Sequence, residues 1–199
     1  MAIFQPLTNN YFGGMPALGT PNHQVVNSYA VSSSEAAPIL IGDVVVMTSI
    51  ATVKAGSSAA GTAALANIIG LAASVVAAGA GSTAATGVRA LVYDHPDLQF
   101  VMSNTSSGAL AQGSLGLFHN YFICGTGCVG STGPSATTTR SAMALSGVTG
   151  SSAGNVRVIA LHPIENNYFT SNATGTAQKF ICMWSAGSLF VNSTALLTT

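Results

Sequence analysis

The chain has 199 residues, 48% of them hydrophobic and only 5% charged, and its five Lys/Arg and five Asp/Glu cancel to a formal net charge of zero. Soluble domains carry about 25% charged residues, so this surface is expected to be built of Ser, Thr, Asn, Gly and Ala, or to be hidden against partners. The isolated placement of Lys54, Arg89, Arg140, Arg157 and Lys179 argues against nucleic acid, which needs clustered cations, and against anionic membranes; intrinsic disorder would require low hydrophobicity with high net charge.

Residues 1–24 hold Pro6, Gly13, Gly14, Pro16, Gly19 and Pro21, a spacing of breakers that no long regular element survives. Phe4, Leu7, Tyr11, Phe12, Met15 and Leu18 are too apolar for a free tail. The expectation is an extended N-terminal arm over 1–24, laid on its own domain or on a neighbouring subunit, followed by a single domain over 25–199. The opening Met1–Asn10 has neither a basic n-region nor a long apolar h-region. With no export signal expected, the odd count of three cysteines points to reduced thiols. The sequons at Asn104, Asn172 and Asn192 are products of composition.

Gln24 to Val31 is predicted as a first short strand, and Ser32 to Pro38 as a turn. Ile39 to Met47 divides into strand, Gly42-Asp43 corner and strand, in β-branched runs too short for helices. Ala51 to Lys54 continues this meander into a small-residue loop over 55–61. The segment Asn67 to Val76 suits a buried strand, or a helix across Thr62 to Ala73; its flanking glycines and β-branched content favour the strand. No charged residue occurs between Ala55 and Val88, which approaches the ~20 apolar residues of a membrane span. Asn67, Ser74 and the glycines interrupt the run and no cation flanks it closely, so a transmembrane segment is not expected.

Arg89 to Ser103 is predicted as a hairpin: strand, an Asp94-His95-Pro96-Asp97 corner, and a second strand in which Leu98, Phe100 and Met102 alternate with Gln99 and Val101. Leu115 to Cys124 is apolar and aromatic, 125–139 is a Gly/Ser/Thr loop, and Ser141 to Leu145 is a short strand. Asn155 to His162 is the cleanest strand, closed by Pro163. Lys179–Ser185 and Leu189–Asn192 suggest a closing hairpin. Short strands spaced by Gly and Ser signals give the fold class: all-β, a small barrel or sandwich of short strands with an extended N-terminal arm.

Candidates for chemistry resolve into structural roles. Asp94, His95 and Asp97 have the composition of an acid–base or metal cluster, yet Asp-His-Pro-Asp is also a turn, in which Asp side chains bond local backbone N–H groups and Pro fixes φ. The turn is the expectation. His119, Cys124 and Cys128 lack the close Cys pair and the fourth ligand of a zinc site. Cys124 and Cys128 could pair only under oxidising conditions. There is no Gly-x-Ser-x-Gly elbow and no phosphate loop with its Lys. No catalytic, metal or cofactor site is expected, and a hydrolase using a His/Asp pair is the most distant reading. Asn-Tyr-Phe occurs at 10–12, 120–122 and 167–169. The intervals are unequal, so no structural repeat is implied. Their aromatic pairs, Tyr11, Phe12, Tyr121, Phe122, Tyr168 and Phe169, together with Phe4, are the candidate interface anchors.

Ile41-Gly42-Asp43-Val44-Val45, Ile69-Gly70-Leu71-Ala72-Ala73 and Val92-Tyr93-Asp94-His95-Pro96-Asp97-Leu98-Gln99-Phe100 together resemble a family of tailed-bacteriophage capsid decoration, or cement, proteins. The resemblance covers about residues 39–103 and departs at His95, where an acidic residue is expected. It implies a small β-barrel with no catalysis, located on the virion capsid after assembly in the host cytoplasm. Its partners would be the major capsid protein and further copies of itself, as trimer or dimer. Another phage structural role, as a major coat, tail or fibre subunit, suits the same composition.

Overall fold

A computed structural model describes residues 14–17, 26–35, 38–49, 52–56, 67–77, 87–104, 112, 115–119, 121–123, 141, 143–145, 154–163 and 178–185. Its strands are β1 Met15–Pro16, β2 Val26–Val31, β3 Val44–Ser49, β4 Thr52–Ala55, β5 Ile68–Ala72, β6 Arg89–Tyr93, β7 Gln99–Ser103, β8 Phe118–His119, β9 Tyr121–Ile123, β10 Met143–Leu145, β11 Val156–Leu161 and β12 Lys179–Trp184. The fold is all-β. Strands β2-β4-β3-β5-β6 close a five-stranded barrel, β1-β7-β12-β11-β8 form a five-stranded sheet, and β9 pairs with β10. Among the described residues no helix is long and apolar enough to cross a membrane.

Two cores result, and β3 and β5 serve both. Val31, Ile39, Val45, Val53, Ile69, Ala72, Val76, Ala90 and Val92 fill the barrel. Val44, Val46, Ile68 and Leu71 point out of its wall to meet Leu98, Phe100, Met102, Val156, Val158, Phe180, Cys182 and Trp184 of the sheet side. In β3, alternate side chains face opposite sides of the strand, so an unbroken Val44-Val45-Val46 run supplies both cores. Met143 and Leu145 of β10 join the second core, where the Val44 N–H donates to Met143 Sδ at 3.1 Å.

Strand β5 is buried along its whole length, which is why Ile68-Ile69-Gly70-Leu71-Ala72 shows no alternation. Val45 pairs with Gly70 and Val46 with Ile68, leaving Ile69 as an extra residue in a bulge. The bulge reverses the phase: Ile68 and Leu71 face the sheet while Ile69 and Ala72 face the barrel. Gly70 lies against β6 with φ of 156°, and a Cβ there would stand 1.8 Å from the Tyr93 carbonyl oxygen.

The predicted hairpin at 89–103 is corrected. Strand β6 pairs with β2 and β5, and β7 pairs with β1 and β12. The two strands never pair, and the 94–98 corner carries the chain from barrel to sheet. Both edges of β12 are likewise taken, by β7 and β11, so the expected hairpin partner for 179–185 has no edge to occupy there; residues 189–192 lie outside the described residues. Within the segment 1–24, Gly14–Ala17 docks on the chain's own sheet, with Met15 opposite Val101 and Pro16 opposite Phe100.

Gly70→Ala forces a methyl group into a backbone oxygen that cannot rotate away. The expected cost is about 4 kcal/mol or more, or failure to fold. Urea unfolding measures it, and a loss below about 1 kcal/mol would contradict the β5–β6 packing.

Candidate functional site

Among the described residues, three groups of polar side chains at strand ends tie segments together. The first joins the barrel strand β2 to the end of β6. Asn27 and Tyr29 of β2 lie opposite Val92 and Ala90 of β6, and Asp94 follows the last residue of β6. Asn27 Nδ2 donates to both carboxylate oxygens of Asp94, at 2.8 and 3.0 Å, and the Tyr29 hydroxyl donates to Oδ2. Burial, then the hydrogen bond and the charge of Asp94, push the Tyr29 hydroxyl up to about 12. Tyr29 therefore stays a proton donor near neutrality and ties β2 to the corner.

The other residues of that corner make the turn. The Asp97 N–H donates to His95 Nδ1 at 3.2 Å, and the Leu98 N–H donates to the His95 carbonyl at 3.0 Å. Pro96 and Asp97 are exposed. Residues 95–98 therefore turn on their own backbone bonds. His95 bonds the local backbone, whereas Asp94 reaches residues 65 and 67 positions away.

The second place is the Leu40–Asp43 corner. Gly42 takes a left-handed φ of 87°, which a residue without Cβ adopts at no steric cost. The Asp43 N–H donates to the Leu40 carbonyl at 3.0 Å, and the Leu40 N–H donates to Asp43 Oδ2 at 2.7 Å. Burial pushes the Asp43 carboxyl up to about 6, against the opposing hydrogen bonds from Ser141 and Leu40, and the nearby Glu35 charge raises it further. Glu35 is itself buried, with Oε2 accepting from the Ala55 N–H at 2.8 Å.

The third place is the end of the sheet. The Asn104 N–H donates to the Gln178 carbonyl at 3.0 Å. The Gln178 N–H donates to Asn104 Oδ1 at 2.8 Å, and Asn104 Nδ2 donates to Gln178 Oε1 at 3.1 Å. Asn104 is fully buried, so its amide is committed to Gln178 and is no glycan acceptor in this fold. Burial lowers the proton affinity of Lys179; burial and the Lys179 charge lower that of His162. Composition carried no signal for this cluster, because its members look like ordinary polar strand ends.

The remaining candidates are dispersed. Cys182 is free and buried, and burial holds its thiol well above the ordinary range, which disfavours the nucleophilic thiolate. His119 pairs with Val156 at the sheet edge, while Cys124 and Cys128 lie outside the described residues. Among the described residues no group of three His, Cys, Asp or Glu is placed to hold a metal ion. Of the interface anchors, Tyr121 and Phe122 sit on β9 opposite Leu145 and Ala144. Phe4, Tyr11, Phe12, Tyr168 and Phe169 lie outside the described residues.

A surface feature was not anticipated. On the β2–β6 wall Val26 is 37% and Leu91 43% exposed, and Val75, just past the Ala73–Leu91 backbone bond, is 43% exposed. Arg89 is exposed on the same wall, where its Nε and Nη2 donate to the Oγ and carbonyl of Ser28, both at 2.6 Å.

Comparison of the chain with protein-family models, with curated proteins and with solved structures gives no match.

Three substitutions separate these ties. The folded state holds a proton on Asp43 more tightly than the unfolded chain does, so stability from this group is complete below about pH 4 and is lost as pH rises through about 6. The loss amounts to about 3 kcal/mol. Asp43→Asn keeps an acceptor for Leu40 and carries no charge. Its stability relative to the parent is expected to improve by about 2–3 kcal/mol between pH 4 and pH 7, read by urea unfolding across that range; a constant difference would refute burial of an ionised carboxyl. Tyr29→Phe is expected to cost about 1–2 kcal/mol, while Asp97→Ala stays within about 0.5 kcal/mol. Equal costs would mean that Asp94 does not tie β2 to the end of β6.

Proposed function

We propose that the chain is a structural virion protein, a capsid decoration (cement) subunit that binds and stabilises the major capsid protein lattice of a tailed bacteriophage. The observation that carries this reading is the outer wall of the barrel, where Val26 and Leu91 are exposed, with Val75 exposed nearby, and where the wall's cation, Arg89, is hydrogen-bonded to Ser28 of the same wall. Such a wall suits contacts made by apolar groups and backbone. These are insensitive to salt, because screening acts on exposed charges.

The resemblance over residues 39–103 supports the same reading at the level of fold. Its non-apolar residues fall where this barrel requires them: Gly42 and Asp43 at one corner, Gly70 in the bulge, and Asp94 to Asp97 at the crossing from barrel to sheet. In this reading the protein acts without catalysis or cofactor. It assembles with itself as a trimer or dimer on the capsid surface, and it meets neither nucleic acid nor membrane.

Purified protein added to capsids stripped of it is expected to co-sediment to saturation, with little change between about 0.05 and 0.5 M salt. Leu91→Glu, at an exposed position that leaves both cores intact, is expected to weaken binding about tenfold or more, equivalent to about 1.4 kcal/mol. Absence of binding at excess protein would overturn the decoration role. Electron cryomicroscopy of the source particle then distinguishes coat, tail and fibre positions.

A further inference from the structure

We propose that Gly14–Ala17 is an exchanged strand: the edge of β7 that β1 occupies, with its seat for Gly14, receives the same N-terminal segment from a second copy of this chain. This inference deepens the self-association in the reading above and rests on that part of it alone.

The seat spans both layers of the fold. The Gly14 N–H donates to the Gly42 carbonyl on the barrel at 2.9 Å, and the Ala17 N–H donates to the Gln99 carbonyl on the sheet at 2.8 Å. Between them Met15 and Pro16 pair with Val101 and Phe100. Gly14 itself is buried against Leu71, close enough that a Cβ would come within 2.5 Å of Leu71 Cδ1. The socket therefore selects its occupant: a residue without a side chain at the first position, followed by a short extended stretch. This chain's own segment meets that requirement. Pro16 has no N–H and is confined to an edge strand, so the occupant ends the sheet and blocks addition of a further strand beside it.

Exchange costs little in contact energy, because each contact made within one chain is remade between two. The outcome then depends on the connection and on how closely copies approach. Residues 18–25 join the segment to β2 and include Gly19 and Pro21. When extended, a connection of that length reaches about 27 Å, enough to place β1 on an adjoining copy. A net charge of zero supplies no repulsion between copies.

A Met15→Cys/Val101→Cys chain tests this directly, since antiparallel cross-strand partners lie within disulfide reach. After oxidation, peptide mapping by mass spectrometry identifies the 15–101 link independently of the native cysteines, and denaturing gels without reductant show whether it joins one chain or two. The expected result is a link between chains, at the mass of a dimer or trimer. Mixing chains that carry Met15→Cys alone with chains that carry Val101→Cys alone, then refolding them together, should give the same link. Gly14→Val, which fills the seat, should abolish it and shift sedimentation toward monomer. A link found only within single chains overturns the exchange, as does no link at all. A link within chains of a sedimenting oligomer that still binds capsids overturns the exchange and leaves the decoration reading standing. An interchain link in protein that fails to bind capsids overturns decoration alone.

Discussion

The fold hangs on the backbone of the Leu40–Asp43 corner. The Gly42 N–H donates to Ala72 and the Ala72 N–H donates to Asp43, which fixes β5 beside the start of β3. The Gly42 carbonyl accepts from Gly14, and the Ile41 carbonyl accepts from Ser141. The N-terminal segment, the barrel and the chain leading into β10 therefore meet on four consecutive residues. Only a left-handed residue at position 42 aims these carbonyls outward in different directions, and the buried Asp43 carboxylate holds the turn closed from inside through the Leu40 N–H. Burying that carboxyl is unfavourable above about pH 6. Its retention is intelligible because removing the acceptor would leave a buried N–H unsatisfied, at about 1–3 kcal/mol.

From this corner the two cores follow. Strand β3 leaves it with valines on both faces, and β5 is held against it in a register that only the bulge at Ile69 permits. Because the bulge changes which side chains face the barrel, one strand serves the inner core and the outer one in turn. A chain with 5% charged residues has few ion pairs to draw on. Apolar burial on both sides of β3 and β5, with backbone hydrogen bonds closing the barrel, supplies the cohesion instead.

Most strands were legible because their signals are local. The β-branched runs at 44–47 and 156–161 and the alternation from Leu98 to Met102 mark β3, β11 and β7 in place, and the Gly42-Asp43 corner is where turn chemistry puts it. What could not be read is pairing. Tyr93 and Gln99 are separated by a turn sequence that would equally close a hairpin, and nothing local states that β6 is already occupied on both edges by β2 and β5. The ties of Asn27 and Tyr29 to Asp94, and of Asn104 to Gln178, join residues 65 to 74 positions apart. Isolated polar residues reveal no such partnership. The bulge was legible only as an ambiguity, since a fully apolar pentapeptide carries no period.

The same economy of charge bears on how the surface is to be read. Asp43, through Ser141, and Glu35, Asp94 and Arg89 each bond a group belonging to another segment of the fold, so these few charged side chains are committed to holding strand ends and walls together. Tyr29 and Cys182 are driven toward their neutral forms by burial, the opposite of the activation a nucleophile or base requires. The β2–β6 wall presents Val26 and Leu91 to solvent beside an exposed Arg89 that Ser28 holds. Apolar side chains exposed on one wall are tolerated by a folded domain; covering them is what the proposed association would add.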